Sequence, residues 1–184
     1  MKVKLNSFHP LVRRPPKKRF HVRYTVPVVK HSPGVMVWSC MSASGCGPIW
    51  IMPEKTTINS VIYHAILQEH LQREMARLNY NHFQQDGAPC HSARLVKAWL
   101  QAQNISVLAP WPGSSPDLNP IEHMWARLKK EVSILRPTSR GDLIKKIQRV
   151  WETKMDAVFR QNLINSMPRR IEAVIKAGGG HIRS

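Results

Sequence analysis

Two carboxylates stand where chain geometry can put them to chemical use. Asp86 closes a short segment, 82–85, that reads as a strand, and Glu122 opens a helix that follows a second strand over 105–108. The 35 residues between them have room for one helix and one strand. That spacing lets carboxylates from different elements converge at one edge of a sheet. Hard divalent cations take oxygen ligands of this kind. A metal pair held there would activate an attacking oxygen and stabilise the leaving oxygen of an in-line phosphoryl transfer. Each residue also has an ordinary structural use. Asp86-Gly87 is a turn dipeptide. Asn119-Pro120-Ile121-Glu122 is a helix start, with Asn as N-cap, Pro at the first position and Glu at the third. His91 is placed either to approach a metal or phosphate, or to serve as a loop histidine near a helix start. Cys40, Cys46 and Cys90 show no metal-ligand spacing and no even disulfide set.

The elements that must position these residues follow from periodicity and punctuation. The run 35–41 is apolar on both faces, as a buried strand is. A turn over 42–47 leads to a second strand, 48–52, giving a hairpin. Thr57 or Asn59 caps a helix over 60–77, with Val61, Ile62, Ala65, Ile66, Leu67, Leu71 and Met75 at helical spacing. Ser92 is expected to cap a helix with Leu95, Val96, Trp99 and Leu100 on one face, and Asn104 ends it. The loop 111–119 is rich in Pro and Ser; in it Asp117 is expected to bond its own backbone, and Trp111 has the chemistry to stack on a base. Pro120 opens a helix through Ile121, Trp125, Leu128 and Val132, and Ser139 with Asp142 marks the start of another. One or two short helices then run to the glycines at 178–180. Trp38, Trp50, Trp99, Trp125 and Trp151 sit at core-like positions. Strands alternating with helices indicate an α/β sheet.

Charge points to the partner. Lys and Arg number 28 against 11 Asp and Glu, a formal net charge of +17, which favours a polyanion. The charge is uneven: no Asp or Glu precedes Glu54, and the Pro-rich stretch 1–33 carries Arg13, Arg14, Lys17, Lys18 and Arg19 in one cluster. This stretch reads as a basic arm or edge strand that binds nucleic-acid phosphates. Its basic run also suits nuclear import, and the cysteine usage suits a reducing compartment. The chain has no 18-residue apolar run, so no membrane helix is expected.

Longer strings resolve the ambiguity of the single residues. Phe83-Gln84-Gln85-Asp86-Gly87-Ala88-Pro89-Cys90-His91 closely resembles the second-aspartate motif of Tc/mariner transposases. The string from Trp111-Pro112-Gly113 through Ser115-Pro116-Asp117-Leu118-Asn119-Pro120-Ile121-Glu122-His123-Met124-Trp125 closely resembles their third-acid motif. Val35-Met36-Val37-Trp38, Arg23-Tyr24-Thr25-Val26-Pro27 and Ser166-Met167-Pro168-Arg169-Arg170 match the flanks. The resemblance implies a ribonuclease-H-like mixed sheet flanked by helices, with a D-D-E metal triad that cuts and joins DNA. It makes Asp86 the second acid and Glu122 the third, both ligands of Mg2+ or Mn2+, and a Glu at the third place points to the Tc-type branch.

The resemblance also puts the first acid on a strand upstream of Tyr24, where this chain has none. Glu54 follows the wrong strand, and Glu69 and Glu74 lie on a helix. The expectation is an N-terminally truncated fold: a basic arm over 1–33, a partial ribonuclease-H-like core over 34–135 lacking its first strand, and a helical C-terminal extension over 136–184. Its function would be that of a transposase-derived DNA-binding protein with impaired cleavage, possible homo-oligomerisation and no membrane partner. Two alternatives stand beside it: an active nuclease whose missing acid comes from a partner chain, and a non-enzymatic basic nucleic-acid-binding module.

Overall fold

The valine-rich run after Pro33 forms β2 (Gly34–Trp38), since β-branched and aromatic side chains suit a pleated, half-buried surface. The structure is a computed structural model that describes residues 1–4, 34–80, 82–108, 111 and 115–180. Along β2 burial alternates: Val35 and Val37 are fully buried and their neighbours are half-buried. The strand is therefore shorter than its apolar run and turns one face fully to the core. It pairs antiparallel with β1 (Lys2–Lys4), with Val3 opposite Val35, and with β3 (Trp50–Ile51), with Trp38 opposite Trp50. The antiparallel pairing of β2 and β3 is the one the hairpin reading requires, and β1 occupies an edge of the sheet.

The described residues cluster into two compact units. The first comprises 1–4, 34–38, 49–52 and 125–154. Its core joins the sheet's Val3, Val35, Val37 and Met52 to Leu128 and Val132 and to α5 (Arg140–Lys154), which buries Leu143, Ile147, Val150 and Trp151. Trp125 and Trp151 stack at 5.1 Å between ring centroids. The start of α5 is the one expected: Ser139 Oγ accepts the Asp142 N–H at 3.1 Å, and Asp142 Oδ2 accepts the Thr138 N–H at 2.8 Å. Trp38, Trp50 and Trp99 are only half-buried.

The second unit comprises 39–48, 53–80, 82–108, 111, 115–124 and 155–180. It opens with α1 (Ser60–Ile66), capped by Asn59 Oδ1 on the Ile62 N–H at 2.9 Å. The helix widens into a π-helical turn over Leu67–Leu71 before α2 (Gln72–Leu78). One continuous helix was expected here. Asn79 ends α2 and Asn104 ends α3 (Arg94–Ala102), both at φ 55°, the left-handed conformation Asn tolerates better than most residues. The α3 N-cap is Ala93, not Ser92. The Ser92 hydroxyl instead donates to Ala88 O at 3.2 Å, inside the preceding turn.

β4 (His82–Phe83) and β5 (Ser106–Val107) pair in parallel, with Phe83 opposite Val107 and the Leu108 N–H donating to Phe83 O at 3.0 Å. α3 and β5 are the one helix and one strand expected between Asp86 and Glu122. Helix α4 (Pro120–Ile134) follows. The C-terminal region forms one helix of 20 residues, α6 (Ala157–Lys176), rather than short pieces; Asp156 caps it and Pro168 lies inside it. Gly178 and Gly179 stop it at φ 59° and 85°, the Gly179 N–H returning to Val174 O.

Candidate metal and nucleic-acid site

Asp86 sits at the exit of β4, where the parallel pair ends and the chain must turn. Its Oδ1 accepts the Ala88 N–H at 3.0 Å, so the turn use seen in the sequence is realised. The same oxygen lies 2.5 Å from His91 Nδ1. The contact is an ion pair when the imidazole carries a proton on both nitrogens. His91 is held in place from three sides. Its ring packs on Tyr63 at 4.1 Å, its N–H donates to Ala88 O, and its carbonyl accepts from Gln85 Nε2 at 3.3 Å. Tyr63 in turn donates its hydroxyl to Gln85 Oε1 at 2.9 Å. Asp86 itself remains open, with half of its side chain exposed.

Glu122 lies in the first turn of α4, its N–H on Asn119 O at 3.0 Å. Asn119 is buried, and the turn before it, Pro116–Leu118, is one turn of 3₁₀-helix. Two side chains secure this segment. Gln84, two residues before Asp86, donates to Leu118 O at 3.2 Å, which ties the exit of β4 to the approach to Glu122. Arg170 on α6 donates from Nη1 to Asp117 O at 3.2 Å and pairs with His123 Nε2 at 2.7 Å. Burial, and then the Arg170 guanidinium, hold His123 below its ordinary imidazole value. The ring is therefore neutral and accepts at Nε2. The expected role of Asp117 is corrected here: its carbonyl is the anchored group, and its side chain makes no hydrogen bond among the described residues.

Neither Asp86 Oδ2 nor the Glu122 carboxylate is taken up by a hydrogen bond or ion pair among the described residues. Two free hard oxygen donors suit Mg2+, which is commonly held by one or two carboxylates together with substrate phosphates. Among the described residues no group of three His, Cys, Asp or Glu side chains is disposed to hold a metal ion. Of the other residues singled out by sequence, His91 lies against Asp86, while Arg13, Arg14, Lys17, Lys18 and Arg19 lie outside the described residues. Tyr63, Gln85 and Arg170 were not foreseen as parts of the site. Arg170 stood inside a matching string, Ser166 to Arg170, without a role. Tyr63 offered only the weak signal of an aromatic with a polar tip on a helix.

Comparison with known proteins decides the lineage. The DDE superfamily endonuclease family matches residues 22–144. The chain belongs to that family. It is 38% identical over 172 residues to the transposable element Tcb1 transposase of Caenorhabditis briggsae and 36% identical over 172 residues to the Tc1 transposase of Caenorhabditis elegans. Each alignment covers 91% of this chain and 61% of the relative, so the chain spans about three-fifths of their length. Its fold matches the Mos1 transposase catalytic domain, solved with raltegravir and Mn, at a TM-score of 0.73 and 26% identity, over 82% of this chain and 78% of that one. The expected ribonuclease-H-like α/β fold is therefore the one observed.

Proposed function

We propose that this chain is the catalytic-domain portion of a Tc1-type transposase, with Asp86 and Glu122 as metal ligands for DNA cleavage and strand transfer. The observation that carries this reading is a pair of carboxylates that keep oxygens free among the described residues, Asp86 Oδ2 at a strand exit and Glu122 in a helix's first turn, in a member of the DDE family. A divalent ion held there supplies Lewis-acid polarisation of a phosphate oxygen and activation of the attacking hydroxyl. The protein's own task is placement. Gln84 and Arg170 hold the two acid-bearing segments, and Tyr63 and Gln85 hold His91 beside Asp86. The basic cluster Arg13, Arg14, Lys17, Lys18 and Arg19 tracks the DNA backbone and serves nuclear import, and the transposase acts as a homo-oligomer on DNA.

Residues 1–53 of this polypeptide contain no Asp or Glu to serve as the first acid of the triad, and Glu54, Glu69 and Glu74 do not stand in its place. We therefore expect the 184-residue chain to bind DNA and to cleave it poorly. The test is Mg2+- or Mn2+-dependent nicking and strand transfer by this chain and by Asp86→Ala and Glu122→Ala. Strong cleavage abolished by either substitution would overturn the impairment and keep the acid roles. Cleavage indifferent to both would overturn the acid roles. DNA affinity should fall linearly on a log–log plot against salt, with a slope near −0.9 per phosphate contact on duplex; a flat response removes the DNA-binding reading.

A further inference from the structure

Beside Asp86 the surface of the second unit sinks into a depression of about 380 Å³, within the range of sites that take small organic groups. Its apolar lining includes Leu100, Val107 and Leu108 together with Trp111. Leu108 keeps 47% of its surface exposed and Trp111 is half-buried, so neither is used up in the core. The lining also includes Lys97, exposed and without an ion pair among the described residues, and Asp86. An aromatic face, a free ammonium and a carboxylate proposed to bind metal therefore share one small basin.

We infer that this depression is a subsite for one unpaired nucleobase, the one adjoining the phosphate at Asp86. The base stacks on Trp111 against the aliphatic wall, and Lys97 meets its backbone phosphate. The chemistry selects this occupant. A flat heteroaromatic ring fills an apolar slot with one aromatic wall, and its phosphates answer the Lys97 ammonium and the chain's +17 charge. The site rests on the proposal above that DNA phosphate is handled at Asp86, and it adds to that proposal a requirement for the base itself.

The experiment compares two labelled 12-nucleotide single strands by fluorescence anisotropy without divalent metal: oligodeoxyadenylate, and an abasic strand with the same phosphates. The native chain should bind the first about tenfold or more tighter, the size expected of one stacked base. Trp111→Ala should lose that preference while keeping its affinity for the abasic strand, and Trp111→Phe should retain most of it. Lys97→Ala should weaken both strands alike. A native preference near one overturns the subsite whatever the variants do. An unchanged preference in Trp111→Ala, or an equal loss on both strands, overturns it as well. If the native chain binds neither strand nor duplex DNA, the DNA reading itself fails, a result separable from loss of the base preference alone.

Discussion

Replacing Arg170 by Met tests whether α6 holds the third-acid segment in place. Arg170 makes two contacts to that segment, to Asp117 O at 3.2 Å and to His123 Nε2 at 2.7 Å, and a third within its own helix, from Nε to Ser166 Oγ at 2.9 Å. Hydrogen bonds from a charged group contribute about 1.5–3 kcal/mol each. Because the guanidinium is only partly buried, we take the low end for the two cross-segment bonds, or about 3 kcal/mol in total. Met preserves most of the apolar stem, so the loss reports the bonds. For a chain of this size that predicts a fall in Tm of roughly 6–12 °C. The control is Arg169→Met. Arg169 is exposed and makes no hydrogen bond or ion pair among the described residues, so its effect should stay within about 0.5 kcal/mol. Denaturant unfolding of both variants, with amide exchange followed at Asn119 and Glu122, is the assay. Exchange at those amides should accelerate in Arg170→Met beyond what global destabilisation explains. Equal behaviour of the two variants would refute the anchor.

Two further predictions concern the turn that precedes α1 in the second unit. At Gly47 a Cβ would lie 2.7 Å from Cys40 Sγ and 3.4 Å from Glu74 Cγ, so Gly47→Ala should cost about 1–3 kcal/mol by overpacking. The double variant with Cys40→Ala should recover most of it; an additive double variant would show that the sulfur is not the obstacle. Burial, reinforced by the Glu74 carboxylate, pushes the Cys40 thiol up from 9.0 to about 11. The unfolded chain then releases this proton first, so the thiol's contribution is intact below pH 9.0 and is lost as pH rises towards 11. Across that window the native chain should lose about 2 kcal/mol more than Cys40→Ala in denaturant titrations. Parallel curves would refute the assignment.

The fold was legible where the causes are local. Asn59 and Ser139 act through side-chain bonds to backbone a few residues away, and the glycines after Ala177 through their own N–H groups at positive φ, and those helix ends lie where these residues put them. Strand lengths were less legible. The apolar run 35–41 is longer than β2 because a strand extends only as far as a partner pairs with it, and β3 is two residues long. The π-helical turn at Leu67–Leu71 was hidden for a related reason: the apolar period passes through it with little change, and only the bonding of successive turns reveals it. At α6 one or two short helices were expected, yet a single helix of 20 residues runs from Ala157 to Lys176, straight through Pro168.

The site shows a sharper division. Asp86 and Glu122 do perform the ordinary tasks their neighbours suggest, since Asp86 Oδ1 closes a turn on Ala88 and Glu122 begins a helix over Asn119. Those tasks do not compete with metal binding. The turn engages only one oxygen of Asp86, and the helix start engages the Glu122 backbone, leaving its carboxylate free. A capping-type position is in fact a suitable place for such a ligand, because the helix's first turn fixes the backbone of the residue whose side chain projects from it. Residues that orient the acids are another matter. Arg170 reaches Asp117 across 53 positions and Tyr63 reaches Gln85 across 22. No periodicity or cap signal spans such distances, so sequence reading can find the acids through their motifs and still miss what holds them. It follows that substitutions at Arg170 and Tyr63 should separate from those at Asp86 and Glu122 in kind: the former should loosen the segments measurably in the metal-free protein, while the latter should leave the fold intact and remove the oxygen donors.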